Sequence, residues 1–301
     1  VKAQEEGRMV AKSQGKPSFF VETRLGLDGN PASQGSKEVL LFGWLPWQQA
    51  VSASTTTHSL KAGASYFKQQ ASNWGWFVGG NASQTGFHNH HTLDYYSASA
   101  QAGGFLLGQD WRLSLPVQAS YQERDDKNKL SLFSLGTDFT KQLNNKTDVN
   151  VYTQLASLNF KPSKNLNSLM FNLGTSLSYK YSSALTLSAG PLLGIETAEK
   201  SNNKHNSRNL YGFNTEAFVY LSNTSYLTLN LSYIESANKK VDELFLIKRK
   251  DETFNLGLKI SHLITKSINF DTQVNFTNQE SNNNLYDYDR MQVSFGLRKD
   301  W

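Results

Sequence analysis

Leu285–Trp301 reads LYDYDRMQVSFGLRKDW, and its second half decides the fold. Met291, Val293, Phe295 and Leu297 alternate with Gln292, Ser294, Gly296 and Arg298. Successive side chains of a strand point to opposite faces, so this segment is apolar on one side and polar on the other. An aromatic residue, Trp301, ends it. A strand with hydrocarbon on one side and a wet lumen on the other reads this way.

The pattern recurs upstream. In 111–122, Trp111, Leu113, Leu115, Val117, Ala119 and Tyr121 oppose Arg112, Ser114, Gln118, Ser120 and Gln122. In 226–234, Leu227, Leu229, Leu231 and Tyr233 oppose Thr228, Asn230 and Ser232. Residues 254–261 and 268–276 alternate likewise, with Phe254, Leu256, Leu258 and Ile260, then Ile268, Phe270, Val274 and Phe276, on the apolar side. The small-residue run SASAQAGG within 92–107 gives no dominant face. From Pro17 onward the chain divides into about fourteen such segments, each long enough for a tilted crossing of a bilayer. Short turns are predicted near 70–73, 108–110, 142–146, 181–183, 222–224 and 264–266. Longer polar loops are predicted near 86–91, 123–129, 160–166, 197–208, 237–250 and 279–284. The expected fold is an all-β transmembrane antiparallel β-barrel of about fourteen strands, an up-and-down meander over 17–301. A soluble β-sandwich or solenoid is the alternative. An even strand count puts both termini on one side, the periplasmic one if short turns face the periplasm.

Composition agrees. Of 301 residues, 38% are hydrophobic and 12% aromatic, and mean hydropathy is −0.50. No run approaches the roughly 18 apolar residues of a membrane helix, but a barrel carries its apolar residues at every second position. Phe67, Trp74, Trp76, Trp111, Phe139, Tyr179, Tyr181, Tyr220 and Tyr226 fall beside the short turns and are expected to form an interfacial girdle. Cysteine is absent, which removes disulfides and thiolate metal sites. The net charge of +5 is spread through loops; the one dense basic cluster, Lys248–Lys250, adjoins Asp251 and Glu252, so no nucleic-acid stripe is read. Residues 1–16 are polar without period-2 signal, and are expected to be a linker from an upstream domain, with Val1 a cut point.

Two features break the pattern. The connection 28–54 holds the apolar run VLLFGWLPW, including Leu40, Leu41, Phe42, Trp44, Leu45 and Trp47. Apolar loop surface needs cover, and folding inward as a plug is expected over lying on the membrane or docking on a partner. GFHNHH places His88, His90 and His91 together. We read them as polar rim residues rather than a metal or haem site, with no cofactor expected. On the predicted inner face stand Glu22, Arg24, Lys61, Arg112, Asp138, Glu216, Lys259, Asp271 and Arg298. Opposed charges in a lumen line a conduit or stiffen its wall by pairing. No G-x-S-x-G and no Ser–His–Asp set stands out, so no enzyme is expected.

Three stretches carry a family resemblance. RLGLDGNP (Arg24–Pro31) resembles the first-strand motif of barrels that follow a tetratricopeptide-repeat domain, with Leu27 and Gly29 replacing its usual Tyr and Ser. RKDETFNLGLKIS (Arg249–Ser261) and QESNNNLYDYDRMQVSFGLRKDW (Gln279–Trp301) resemble the last three strands of the same proteins. The combination is similar to the surface lipoprotein assembly modifier family. Ser294, Gly296 and Trp301 also resemble the closing-strand signal read by the barrel assembly machinery, with Lys299 where an apolar residue is usual. The resemblance implies a periplasmic repeat domain upstream, a bacterial outer-membrane location, and a barrel that assists delivery of a lipoprotein or secreted haemophore client to the surface. It implies a seam between the first and last strands as the working part. A passive porin or exopolysaccharide-export channel is the alternative, and an adhesion barrel acting through 197–208 and 237–250 is a third.

Overall fold

The computed structural model describes residues 15–34, 39–42, 45–48, 53–124, 128–242 and 245–301, with backbone alone at 39–42, 45–48 and 201–203. Sixteen strands follow in chain order. They are β1 (Pro17–Asp28), β2 (Val39–Phe42), β3 (Leu45–Gln48), β4 (Thr55–Ala71), β5 (Trp74–Phe87), β6 (Tyr95–Leu107), β7 (Trp111–Arg124) and β8 (Asn128–Asn144). The second half comprises β9 (Thr147–Lys161), β10 (Ser168–Lys180), β11 (Leu185–Ala198), β12 (Arg208–Tyr220), β13 (Ser225–Asn238), β14 (Lys250–Thr265), β15 (Ile268–Ser281) and β16 (Tyr288–Asp300). Fourteen of them, β1 and β4–β16, close into one barrel in sequence order, every neighbour antiparallel. β1 pairs β4 from Pro17↔Tyr66 to Asp28↔Thr55 and pairs β16 from Phe20↔Asp300 to Asp28↔Gln292. Closure leaves no strand edge, which a membrane interior demands.

Connections alternate as expected, with two or a few residues at one end and longer ones at the other. One expectation fails: β7 and β8 pair out to Arg124↔Asn128, leaving only 125–127 between them. Cross-strand contacts extend the ladder there. Lys129 Nζ lies 3.0 Å from Glu123, and the Tyr121 hydroxyl donates to the same carboxylate. The segment 92–107 also resolves. Tyr96, Ala98, Ala100, Ala102 and Leu106 share one face of β6, and Ser97, Ser99, Gln101, Gly103 and Phe105 share the other.

The burial pattern decides between barrel and sandwich. Leu25, Leu60 and Phe133 are 65%, 56% and 57% exposed, and they belong to an outward band that runs round every strand. The buried hydrophobic side chains among the described residues are few, while Asp28, Asp251, Asp271 and Ser261 are buried. A water-soluble fold does not spread this much contiguous apolar surface. Hydrocarbon outside and polar contacts inside account for it.

Part of the girdle expectation is corrected. Trp74, Trp76, Trp111, Phe139 and Tyr179 point outward near the short turns, but Phe67, Tyr220 and Tyr226 take the inward register. Both faces are aromatic at these strand ends, as in the pairs Tyr66–Phe67 and Trp76–Phe77, so nearness to a turn cannot assign a face.

Residues 39–42 and 45–48 pair as a separate two-stranded sheet, β2–β3, from Val39↔Gln48 to Phe42↔Leu45. Trp44 and the side chains of Leu40, Leu41, Phe42, Leu45 and Trp47 lie outside the described residues. So does the lead up to residue 14.

Candidate functional site

Strand alternation turns a fixed set of polar side chains into the lumen. All nine ionisable residues singled out from the sequence have the inward register. The structure sorts them into two walls.

On the first wall, β1 and β14–β16 bring Glu22, Arg24, Lys259, Asp271 and Arg298 together. Arg24 Nη2 lies 2.9 Å from Glu22 Oε1 and 3.7 Å from Asp271 Oδ2. Asp271 also faces Lys259 Nζ at 3.4 Å and accepts from the Ser261 hydroxyl. Arg298 Nη2 is 2.9 Å from Asp300, and its guanidinium stacks 4.0 Å from the centre of the Phe20 ring. Lys61 lies over the same ring at 5.9 Å. Buried ions persist only when paired, and this network is neutralised internally. Gly296 serves it directly, since a Cβ there would come within 3.1 Å of the Arg24 guanidinium. Arg24 also donates to Ser294 Oγ at 3.1 Å.

Sequence reasoning missed the strongest polar contact of this wall. Asp28, 1% exposed, receives Arg290 Nη2 at 2.5 Å, Arg290 Nε at 3.0 Å and Gln292 Nε2 at 2.8 Å. The Asn30 backbone N–H donates to Asp28 as well, and the Asn30 amide reaches the Asp289 carbonyl at 3.0 Å. The signal was present: Asp28 shares the parity of Glu22 and Arg24, and Arg290 that of Arg298. This clasp joins Arg24–Pro31 to Gln279–Trp301, so the first and last resembling stretches meet across the β1–β16 seam.

Trp301 exchanges backbone hydrogen bonds with Phe19 at the seam's end. Lys299, unexpected at an outward position, lays its ammonium 4.8 Å from the Trp301 ring, as a long amphipathic side chain does at an interface.

The second wall, on β4–β13, lines most of a cavity of about 1020 Å³, which β14 and β15 complete with Asn255, Gly257 and Asn275. Arg112, Asp138 and Glu216 line it, together with Asp148 and Lys180. Neutral polar side chains make up most of the rest: amides such as Gln101, Gln118, Gln154, Asn214, Asn230 and Asn255, interleaved with serines and threonines. Many are tied across strands, as in Gln154 Nε2 to Ser134 Oγ at 3.2 Å and Asn255 Nδ2 to Ser232 Oγ at 3.2 Å. Asp138 is held by Asn150 Nδ2 at 3.0 Å and Asp148 by Lys180 at 3.7 Å. Arg112 donates to Ser114 Oγ and covers the Phe105 ring at 5.5 Å.

Toward the short-turn end the lumen becomes aromatic. Phe67 stacks on Phe105 with centroids 4.7 Å apart, Phe77 lies beside them, and Phe218 with Tyr226 stand on β12 and β13. Tyr152 leans over Gly174, where any side chain would meet its ring at 2.3 Å. Alternating parity predicts these inward rings, but only once each strand's register is known.

Among the described residues the histidines do not cluster with other ligand-type side chains in a group that could hold a metal. His91 Nδ1 lies 3.4 Å from Asp94 and is exposed at the long-loop rim, while His88 and His90 make backbone turn contacts there.

No family model matches the sequence, and no curated protein does. Solved structures do resemble the fold. OmpT, an outer membrane protein of Vibrio cholerae, aligns with TM-score 0.53 at 7% identity, over 95% of this chain and 97% of that one. A deltaS2 mutant of the TodX monoaromatic hydrocarbon channel aligns with TM-score 0.53 at 8% identity, over 95% and 90%. The outer membrane channel DcaP of Acinetobacter baumannii aligns with TM-score 0.50 at 10% identity, over 95% and 96%. At such identities the likeness establishes the fold, a closed fourteen-stranded outer-membrane-type barrel. The motif resemblance to the surface lipoprotein assembly modifiers has no family match behind it.

Proposed function

We propose that this chain is an outer-membrane channel that carries small polar solutes through its lumen. One observation supports the reading above the others. An apolar exterior encloses a polar cavity of about 1020 Å³, while the densest cluster of lumen charges, on β1 and β14–β16, is paired within itself. Water-filled barrels with such interiors conduct. The test is refolding into a planar bilayer and recording ion current. Steady conductance supports the channel; a silent, correctly folded barrel rejects it.

A second reading, assisted delivery of a lipoprotein or haemophore client, draws on the meeting of two resembling stretches at the β1–β16 seam. Opening that seam would separate Asp28 from Arg290 and Gln292. Thr23 and Leu297 stand directly opposite each other across it, so the pair Thr23→Cys and Leu297→Cys locks it when oxidised. Undiminished surface exposure of lipoproteins in the locked strain rejects seam-dependent delivery.

A further inference from the structure

We propose that the cavity of the second wall binds uncharged, polyhydroxylated solutes, namely short carbohydrates, with Phe77 and the neighbouring Phe67 as the platform under the sugar ring. The inference rests on the channel reading and narrows it to a solute class. Three properties of the lining carry it.

The first is the kind of polar group. Each amide offers both donors and an acceptor, and each sugar hydroxyl needs both, so amides and hydroxyls match each other without a charge being stranded. Gln101 and Gln118 face each other across β6 and β7, one above the platform side of the cavity. Asn230 and Asn255 supply the same chemistry from β13 and β14.

The second is charge. The cavity holds two cations, Arg112 and Lys180, against three carboxylates, Asp138, Asp148 and Glu216. Lys180 is engaged by Asp148 at 3.7 Å, and Arg112 is spent on Ser114 and the Phe105 ring. An anionic solute would meet a slightly negative surface whose cations are already occupied. An apolar solute would bury the amide belt without partners, which is unfavourable.

The third is the division of the lining by height. Phe77 and Phe67 line the cavity at its short-turn end, and Phe105, 2% exposed, backs the Phe67 ring at 11° without reaching the cavity. A pyranose has an apolar C–H face and a rim of hydroxyls, so one molecule can cover both zones at once. The volume of about 1020 Å³ lies at the upper end of the roughly 300–1,000 Å³ typical of small-molecule sites, which leaves room for more than one sugar unit.

The probe is maltotriose, added to the refolded full chain in a planar bilayer, with gluconate and toluene as anionic and apolar comparisons. Maltotriose is expected to reduce the ion current reversibly and saturably, more strongly than either comparison. Phe77→Leu keeps an apolar side chain but removes the ring face, and Gln118→Ala removes one amide. Each is expected to raise the half-blocking concentration by about fivefold or more, the factor corresponding to one lost contact. Asn81→Ala, inward but outside the cavity, should leave it unchanged. A stronger response to gluconate or toluene overturns the solute class. Block that both cavity variants leave intact overturns the site. Normal ion current indifferent to maltotriose overturns the proposal while leaving the channel standing. A folded barrel with no current sinks the channel reading. Titration calorimetry of maltotriose into the detergent-solubilised barrel then reads the site directly, and absence of binding heat overturns it.

Discussion

Replacing Asp28 with alanine should be among the most damaging single changes in this barrel, although the residue lies far from the cavity. Its carboxylate is 1% exposed and receives two bonds from Arg290, one from Gln292 and one from the Asn30 backbone. Breaking a buried pair by removing one partner costs about 3–5 kcal/mol, because the other charge is left uncompensated. The Arg290 side chain keeps 24% exposure, so water recovers part of its solvation. The lower end, about 3 kcal/mol, is the expected loss. Urea unfolding of the refolded barrel in lipid vesicles, followed by tryptophan fluorescence, reads it. A cycle with Arg290→Ala isolates the pair, and a coupling of about 1.5 kcal/mol or more is expected. The double change Asp28→Leu with Arg290→Met should recover most of the stability, because nothing charged remains buried. If the two single changes prove additive within about 0.5 kcal/mol, the clasp is not an interacting unit and the account of the seam is wrong.

Other outcomes follow from the same geometry. Leu135→Arg puts a charge on the outward band of β8 and should destabilise the barrel by about 2–4 kcal/mol in vesicles; no change would mean this face does not meet hydrocarbon. Gly174→Val drives a side chain into the Tyr152 ring and should cost about 1–3 kcal/mol, and adding Tyr152→Ala should restore most of it; absence of rescue refutes the contact.

The two walls give the lumen a division of labour. Charges on β1 and β14–β16 satisfy one another and hold the seam shut, so they contribute rigidity. The amides and rings facing them keep free surface toward the cavity, so contact with a solute falls to them. A polar network fully satisfied within itself is stiff and chemically quiet, which is why the most ionised part of the lumen is not where a ligand is proposed.

Alternation along Met291–Leu297 and its repeats was enough to establish the barrel, because a strand sandwiched between oil and water leaves a period of two in any single segment. Turn positions followed from the polar breaks, and parity alone placed Glu22, Arg24, Lys61 and the other ionisable residues on the inward register. Parity could not tell which of them meet. The ion network around Asp271, the Asp28–Arg290 clasp and the cavity depend on the shear between strands and on closure of β1 against β16, which joins residues more than 260 positions apart. Nor could it distinguish Phe67 from Trp76 near the same turn, since aromatic residues occupy both faces there and only pairing register separates them. The sequence by itself determined which face most strands give to lipid, because that choice is local where apolar and polar residues alternate, whereas the small-residue run of β6 took its face from its neighbours. Only the tertiary structure decided what the lumen can hold, because a cavity belongs to strands that are neighbours in space and distant along the chain.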